Sequence, residues 1–212
     1  MLLDAEERER ARTLVRPEDR SSYIASHVLL RHSLSLMEPL RPCEWQFTRS
    51  RNHPPRLAAS LKSGLHFSLS HTAGLVACAV WQFGPVGVDV ESLMLPRNLA
   101  VIDHLALTAT EREQLSGMPF EDRAYTRLRL WTLKEAYAKG RGLGLALPFS
   151  SIAIDEPRVD SNELQLRIIG DSASKWSAWS FDVVDGLLAV AAWNASGLVP
   201  EVMIERVDKG LT

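Results

Sequence analysis

Apolar residues recur at helical spacing through residues 17–37, PEDRSSYIASHVLLRHSLSLM, where Tyr23, Ile24, His27, Val28, Leu30 and Leu34 mark one stripe. Pro17 suits the first turn of that helix, because its missing N–H would have no partner there anyway. Upstream, DAEERERARTLV reads as a charged helix. Residues 41–61 are mixed and carry Pro42, Pro54 and Pro55, so they predict short strands at most. The pattern then changes period. LHFSLSH (65–71) alternates apolar and polar, GLVACAVWQF (74–83) is a continuous apolar run, and VGVDVE (86–91) follows a Gly84-Pro85 turn; all three predict strands. Helical patterns return over 97–107, in a short element capped by Thr110 with Glu113, and over 121–139, with Gly140 as the residue just past the end. Strands are expected near 151–155, 164–169, 176–184 and 187–193.

One similarity crosses the chain. GLVACAVW at 74–81 recurs as GLLAVAAW at 186–193, each after an alternating stretch and each with helix-rich sequence upstream. Buried strands share composition, so coincidence is one reading. The other is a duplicated α+β unit with a cleft between its copies, where binding sites tend to lie.

Composition narrows the class. The 212 residues are 46% hydrophobic and 24% charged, ordinary for a globular protein able to bury a core. A net charge of −2 supplies no general attraction for nucleic acid or a membrane surface. Cys43 and Cys78 form no C-x-x-C pair, which fits a reduced compartment. The first residues lack a basic segment followed by an apolar one, and no apolar run reaches the roughly 18–20 residues of a membrane span. A cytoplasmic protein is the expectation.

Two stretches carry chemistry. In GVDVE, Asp89 and Glu91 are two apart and share one side of a strand, with Val88 and Val90 on the other. Such a pair is either hydrated at a strand end or held together by a hard cation. In WTLKEAYAK, Trp131, Glu135 and Lys139 fall on one helical stripe. Glu135 and Lys139 make either a surface ion pair or, if they meet Asp89 and Glu91, part of a site for a phosphate or pyrophosphate. The glycines of GRGLGL follow a helix instead of opening one, so they are a helix stop and turn and not a dinucleotide loop. His71 ends the alternating strand, and no histidine pair has metal spacing.

In order and spacing, Ser70-His71, Gly87-Val88-Asp89-Val90-Glu91, the stretch from Trp131 to Lys139 and the Gly142–Leu145 turn resemble the large, Sfp-type 4′-phosphopantetheinyl transferases. The resemblance runs over roughly residues 20–149. It implies an α+β fold of two similar halves forming a pseudo-dimer, which places the halves at 1–86 and 87–212. It implies transfer of phosphopantetheine from coenzyme A to a serine of an apo acyl, polyketide or peptidyl carrier protein, releasing adenosine 3′,5′-bisphosphate. Asp89, Glu91 and Glu135 then correspond to Mg²⁺ ligands, with Asp89, Glu135 and Lys139 in the catalytic group and Glu135 as base for the serine hydroxyl. Arg20, Arg31, Ser70, His71 and Lys139 correspond to coenzyme A contacts. A monomer is implied, with no nucleic acid or membrane partner. The chain departs from the pattern at NHPPRL (52–57), which lacks a glycine, at Ser68 where the family has Asn, and at Thr72 where it has Ser.

Two other readings use the same residues. One is a different Mg²⁺-dependent enzyme that cleaves pyrophosphate without a carrier protein. The other is an inactive module that binds coenzyme A or a carrier. Arg123, Arg127 and Arg129 form either a docking patch for an acidic carrier or a solvated helix face.

Overall fold

The computed structural model describes residues 2–50, 53–72, 74–94, 99–154, 163–168 and 176–193. Helix α1 (Ala5–Thr13) starts at Asp4, whose carboxylate accepts the Glu7 N–H while the Glu7 carboxylate accepts the Asp4 N–H. This reciprocal cap satisfies two N–H groups that the helix cannot. Helix α2 (Pro17–Met37) has the bounds its pattern predicts. The mixed region forms a hairpin of β1 (Phe47–Ser50) and β2 (His53–Leu57). Strands β3 (His66–Thr72) and β4 (Leu75–Trp81) pair antiparallel, with Thr72 opposite Leu75. Leu30 and Leu34 of α2 pack with Trp45, Leu65, Phe67, Leu69, Cys78 and Val80 in the cluster between α2 and this hairpin.

Strand β5 (Val86–Ser92) follows, then α3 (Leu99–Leu105), α4 (Ala109–Gly117) and α5 (Phe120–Arg141). Strands β6 (Ile152–Ile154), β7 (Glu163–Ile168), β8 (Trp176–Val183) and β9 (Gly186–Trp193) complete the described elements. They join β5 in an antiparallel sheet of order β5-β9-β8-β7-β6. Among the described elements, α2 is followed by five strands, β1 to β5, and α5 by four, and each set contains one antiparallel hairpin of neighbouring strands, β3-β4 and β8-β9. The repeated GLVACAVW and GLLAVAAW segments cover β4 and β9, the second strands of those hairpins.

Two boundaries differ from the sequence expectation. The capping box of α4 is Thr108 with Glu111, not Thr110 with Glu113. Two sites two residues apart offer the same S/T-x-x-E signal, and Glu111 prevails because burial gives it further partners. Helix α5 runs through Gly140 to Arg141, and Gly142 ends it with a left-handed φ of 67°. Gly140 is instead a packing glycine inside the helix.

Candidate active site

The site begins with how closely α5 approaches β5. A Cβ on Gly87 would overlap the Ala136 carbonyl and the Gly140 nitrogen, and one on Gly140 would lie 2.7 Å from the Trp176 ring and 3.0 Å from the Gly87 nitrogen. Ala136, Ala138, Ala178, Ala189 and Ala191 belong to the same core cluster. Small side chains there let the helix axis sit close to the sheet. The faces of β5 are both covered, and Val88 and Val90 pack against Ala77 of β4 and Leu188 of β9.

That approach delivers the stripe of α5 to the acidic side of β5. Trp131 Nε1 donates to Glu91 Oε1 at 3.0 Å. Lys139 Nζ donates to Asp89 Oδ1 at 2.7 Å and to Ser70 Oγ at 2.8 Å. Ser70 Oγ in turn donates to Asp89 Oδ1 at 2.8 Å and accepts the Val90 N–H at 3.3 Å. Ser68 Oγ accepts the Val88 N–H at 3.1 Å. Two serines on one face of β3 therefore satisfy N–H groups of β5 that its ladder with β9 does not. Asp89 is only 5% exposed, so it is not a hydrated strand end.

Lys139 makes its ion pair with Asp89, 50 residues away in sequence, beyond the i,i+4 relation to Glu135 that its spacing suggested. Glu135 lies half-buried beside them. Its carboxyl pKa is raised to about 6, chiefly by burial and then by the negative charge of Asp89, with Lys139 drawing it down and Glu91 adding to the rise. Three carboxylates thus act on one another here.

Among the described residues, no three His, Cys, Asp or Glu side chains have the arrangement of a ready-made metal cage. The donors nevertheless fit a hard divalent cation. Asp89 Oδ2 is buried without a hydrogen-bond partner, an arrangement that costs free energy unless something positive comes to it. The mutual repulsion at Glu135 would be relieved by the same charge.

The remaining expected residues separate. Ser70 is buried behind Asp89, where its contacts orient the carboxylate and the lysine. His71 is exposed at the end of β3, and strand alternation turns it to the opposite face from Ser70. Arg20 is exposed on the first turn of α2 and donates to the Leu14 carbonyl. Arg31, expected among the coenzyme A contacts, makes its hydrogen bonds apart from Asp89, Glu135 and Lys139. It is 0% exposed, and its guanidinium is held by Glu7, Asp4 and the carbonyls of Pro42 and Trp45. An arginine so enclosed binds α1 to α2 and has no donor turned to a ligand.

Two supporting features were not anticipated. One is Ser68. The other is Lys134, wholly buried, whose Nζ donates to Glu111 and to the Ala106 carbonyl. Glu111 also accepts the N–H groups of Thr108 and Ile154, so this pair ties α4 and β6 to the turn of α5 that carries Glu135. The S-x-S alternation before Asp89 was the available signal for Ser68; nothing in the sequence marks Lys134 as buried. Of the arginines on α5, Arg127 pairs with Asp103, and Arg123 donates to the carbonyls of Ser116 and Met118.

Comparison with known proteins points to one family. The 4′-phosphopantetheinyl transferase superfamily profile matches residues 85–192, from the residue before β5 to the penultimate residue of β9. The 4′-phosphopantetheinyl transferase HetI of Nostoc sp. is 30% identical over 200 residues, covering 94% of this chain and 81% of that protein. The 4′-phosphopantetheinyl transferase Sfp of Bacillus subtilis is 26% identical over 152 residues, covering 72% of this chain and 66% of its own length. A solved holo-(acyl-carrier-protein) synthase from Bacillus anthracis, in complex with CoA, aligns with a TM-score of 0.43 at 18% identity over 50% of this chain and 92% of that one. With GVDVE and WTLKEAYAK inside the matched region and a relative of this similarity across nearly its whole length, the chain belongs to the 4′-phosphopantetheinyl transferase superfamily.

Proposed function

We infer that the protein moves the 4′-phosphopantetheine group of coenzyme A onto a serine of an apo carrier protein, releasing adenosine 3′,5′-bisphosphate. The observation that carries this reading is the convergence of Asp89 and Ser70 with Lys139 across the β3, β5 and α5 contact, with Glu135 one helical turn before the lysine. Attack of a serine oxygen on the pyrophosphate phosphorus builds negative charge on the phosphate oxygens, and a fixed ammonium such as Lys139 stabilises that charge. Glu135, one helical turn before Lys139 and beside Asp89, is the carboxylate of this reading that accepts the serine proton.

Asp89, Glu91 and Glu135 are the residues that would hold Mg²⁺. Bound there, the ion would offset charge on the pyrophosphate without proton transfer. His71 and Arg20, both exposed, remain the coenzyme A contacts of this reading, while Ser70 acts through Asp89. The two halves, 1–86 and 87–212, meet along β5, and the site lies at that junction. One coenzyme A per chain follows, in a monomeric, cytoplasmic enzyme. Among the described residues, no helix is long and apolar enough to cross a membrane.

The test is incubation with coenzyme A, Mg²⁺ and a panel of apo acyl, polyketide and peptidyl carrier proteins, read by the mass gain of the carrier. No gain on any carrier, with release of free phosphopantetheine, would replace transfer by simple pyrophosphate cleavage. Calorimetric titration giving two equivalent coenzyme A sites per chain would overturn the junction site.

A further inference from the structure

Asp89 presents its two oxygens to different environments. Oδ1 takes the Lys139 ammonium at 2.7 Å and the Ser70 hydroxyl at 2.8 Å. Oδ2 is buried with no hydrogen-bond partner. The carboxylate is thus half satisfied, and the cation that satisfies it belongs to the protein. A divalent ion seated on Oδ2, at about 2.0–2.1 Å, would lie within a few ångströms of the ammonium. Two cations so close on one buried carboxylate repel strongly in the low dielectric of the site. Lys139 is able to yield. Its side chain is 30% exposed, and its head sits on a flexible four-carbon stem. Asp89 cannot, being held by β5 and by Ser70.

We propose that Lys139 is a resident counter-cation, exchanged for the divalent ion: its ammonium pairs with Asp89 and holds it aimed in the ligand-free protein, and leaves Asp89 when a metal takes the carboxylate. The freed ammonium then serves the anion that arrives with the metal. That this anion is the coenzyme A pyrophosphate rests on the transferase reading; the exchange itself does not. The absence of a ready-made metal cage among the described residues fits this order, since the carboxylates have no need to gather while Lys139 neutralises the most buried of them.

The exchange gives the metal-binding step an unusual sign. Removing a positive charge from the site should strengthen metal binding in the absence of coenzyme A, where loss of a supporting residue would weaken it. The experiment is calorimetric titration of MgCl₂ into coenzyme A-free protein, wild type against Lys139→Met, which keeps the stem and drops the charge. Tighter Mg²⁺ binding by the variant, by about tenfold or more, is expected. Equal or weaker binding, or no binding by either protein, overturns the exchange.

A second arm needs no variant. Lys139 of the wild-type protein is labelled with an amine-acylating reagent, with and without MgCl₂, and quantified by peptide mass spectrometry. Faster labelling with Mg²⁺ is expected, and unchanged or slower labelling overturns the exchange. Neither arm contains coenzyme A or a carrier, so failure here leaves the transferase reading standing, and that reading fails only in the carrier assay.

Discussion

Gly87 of β5 and Gly140 of α5 face each other with room for no methyl group on either. Each sits beside a charged residue of the site: Asp89 lies two residues beyond Gly87, and Lys139 directly precedes Gly140. The contact therefore sets the distance at which the lysine meets the aspartate, and the 2.7 Å ion pair depends on it.

Gly87→Ala is expected to damage both fold and activity, because the added carbon meets helix backbone, which cannot rotate away. Overpacking of this kind costs about 1–3 kcal/mol or more. Gly140→Ala meets the Trp176 ring at 2.7 Å, a side chain able to shift, and should cost less. Thermal unfolding of the two variants checks the order; equal melting temperatures would show that the helix does not rest on β5 at these residues.

Asp89→Ala should leave a folded protein and little transfer. Lys139 keeps Ser70 and is 30% exposed, so its charge can be hydrated. A stability change within about 2 kcal/mol is expected, against a loss of roughly 10²-fold or more in rate for a missing charge-handling group. Circular dichroism and the carrier assay separate the two; near-normal transfer removes Asp89 from the chemistry.

Glu135 should make the metal-free protein less stable as pH rises. Its folded pKa, about 6, exceeds the ordinary 4.5, so the folded state holds the proton more tightly than the unfolded chain. The stabilisation is complete below pH 4.5 and lost as pH passes through 6. The full shift corresponds to about 2 kcal/mol, reduced to roughly 1 by solvent screening at a half-buried group. Denaturant unfolding between these pH values, compared with Glu135→Gln, isolates the effect. A Glu135→Gln protein with the same pH dependence as wild type would contradict the assignment.

Glu111→Ala should be among the most destabilising changes outside the hydrophobic core. It strands the buried Lys134 ammonium and removes the reciprocal half of the α4 capping box together, and breaking a buried pair from one side costs about 3–5 kcal/mol. Adding Lys134→Met to Glu111→Ala should recover part of that loss. If the double variant is no more stable than Glu111→Ala alone, the pair is not the source of the cost.

Arg31→Ala should lower stability, again by about 3–5 kcal/mol, because Glu7 is left buried without its main partner. Coenzyme A affinity, measured by calorimetry on protein that remains folded, should not change. A selective loss of affinity at unchanged stability would return Arg31 to the site.

Local pattern was enough for much of this protein. The period of apolar residues marked α2 to its bounds and located β3, β4, β5, β8 and β9, because burying one face imposes 3.6 or 2 as the repeat. The motif residues Asp89, Glu91, Trp131, Glu135 and Lys139 were legible for the same reason: each pair or stripe shares one side of a single element. Tertiary structure decided what those sides meet. Whether Lys139 answers Glu135 or Asp89, whether Gly140 ends a helix or admits a strand, and whether Arg31 reaches a ligand or binds α1 are outcomes of contacts between residues far apart in sequence. Spacing alone cannot rank them, because a charge or a glycine has the same local preferences in either role. Burial decides between the roles: Glu111 prevails over Glu113 as a cap, and Lys139 is drawn to Asp89, where an uncompensated charge in the interior would cost most.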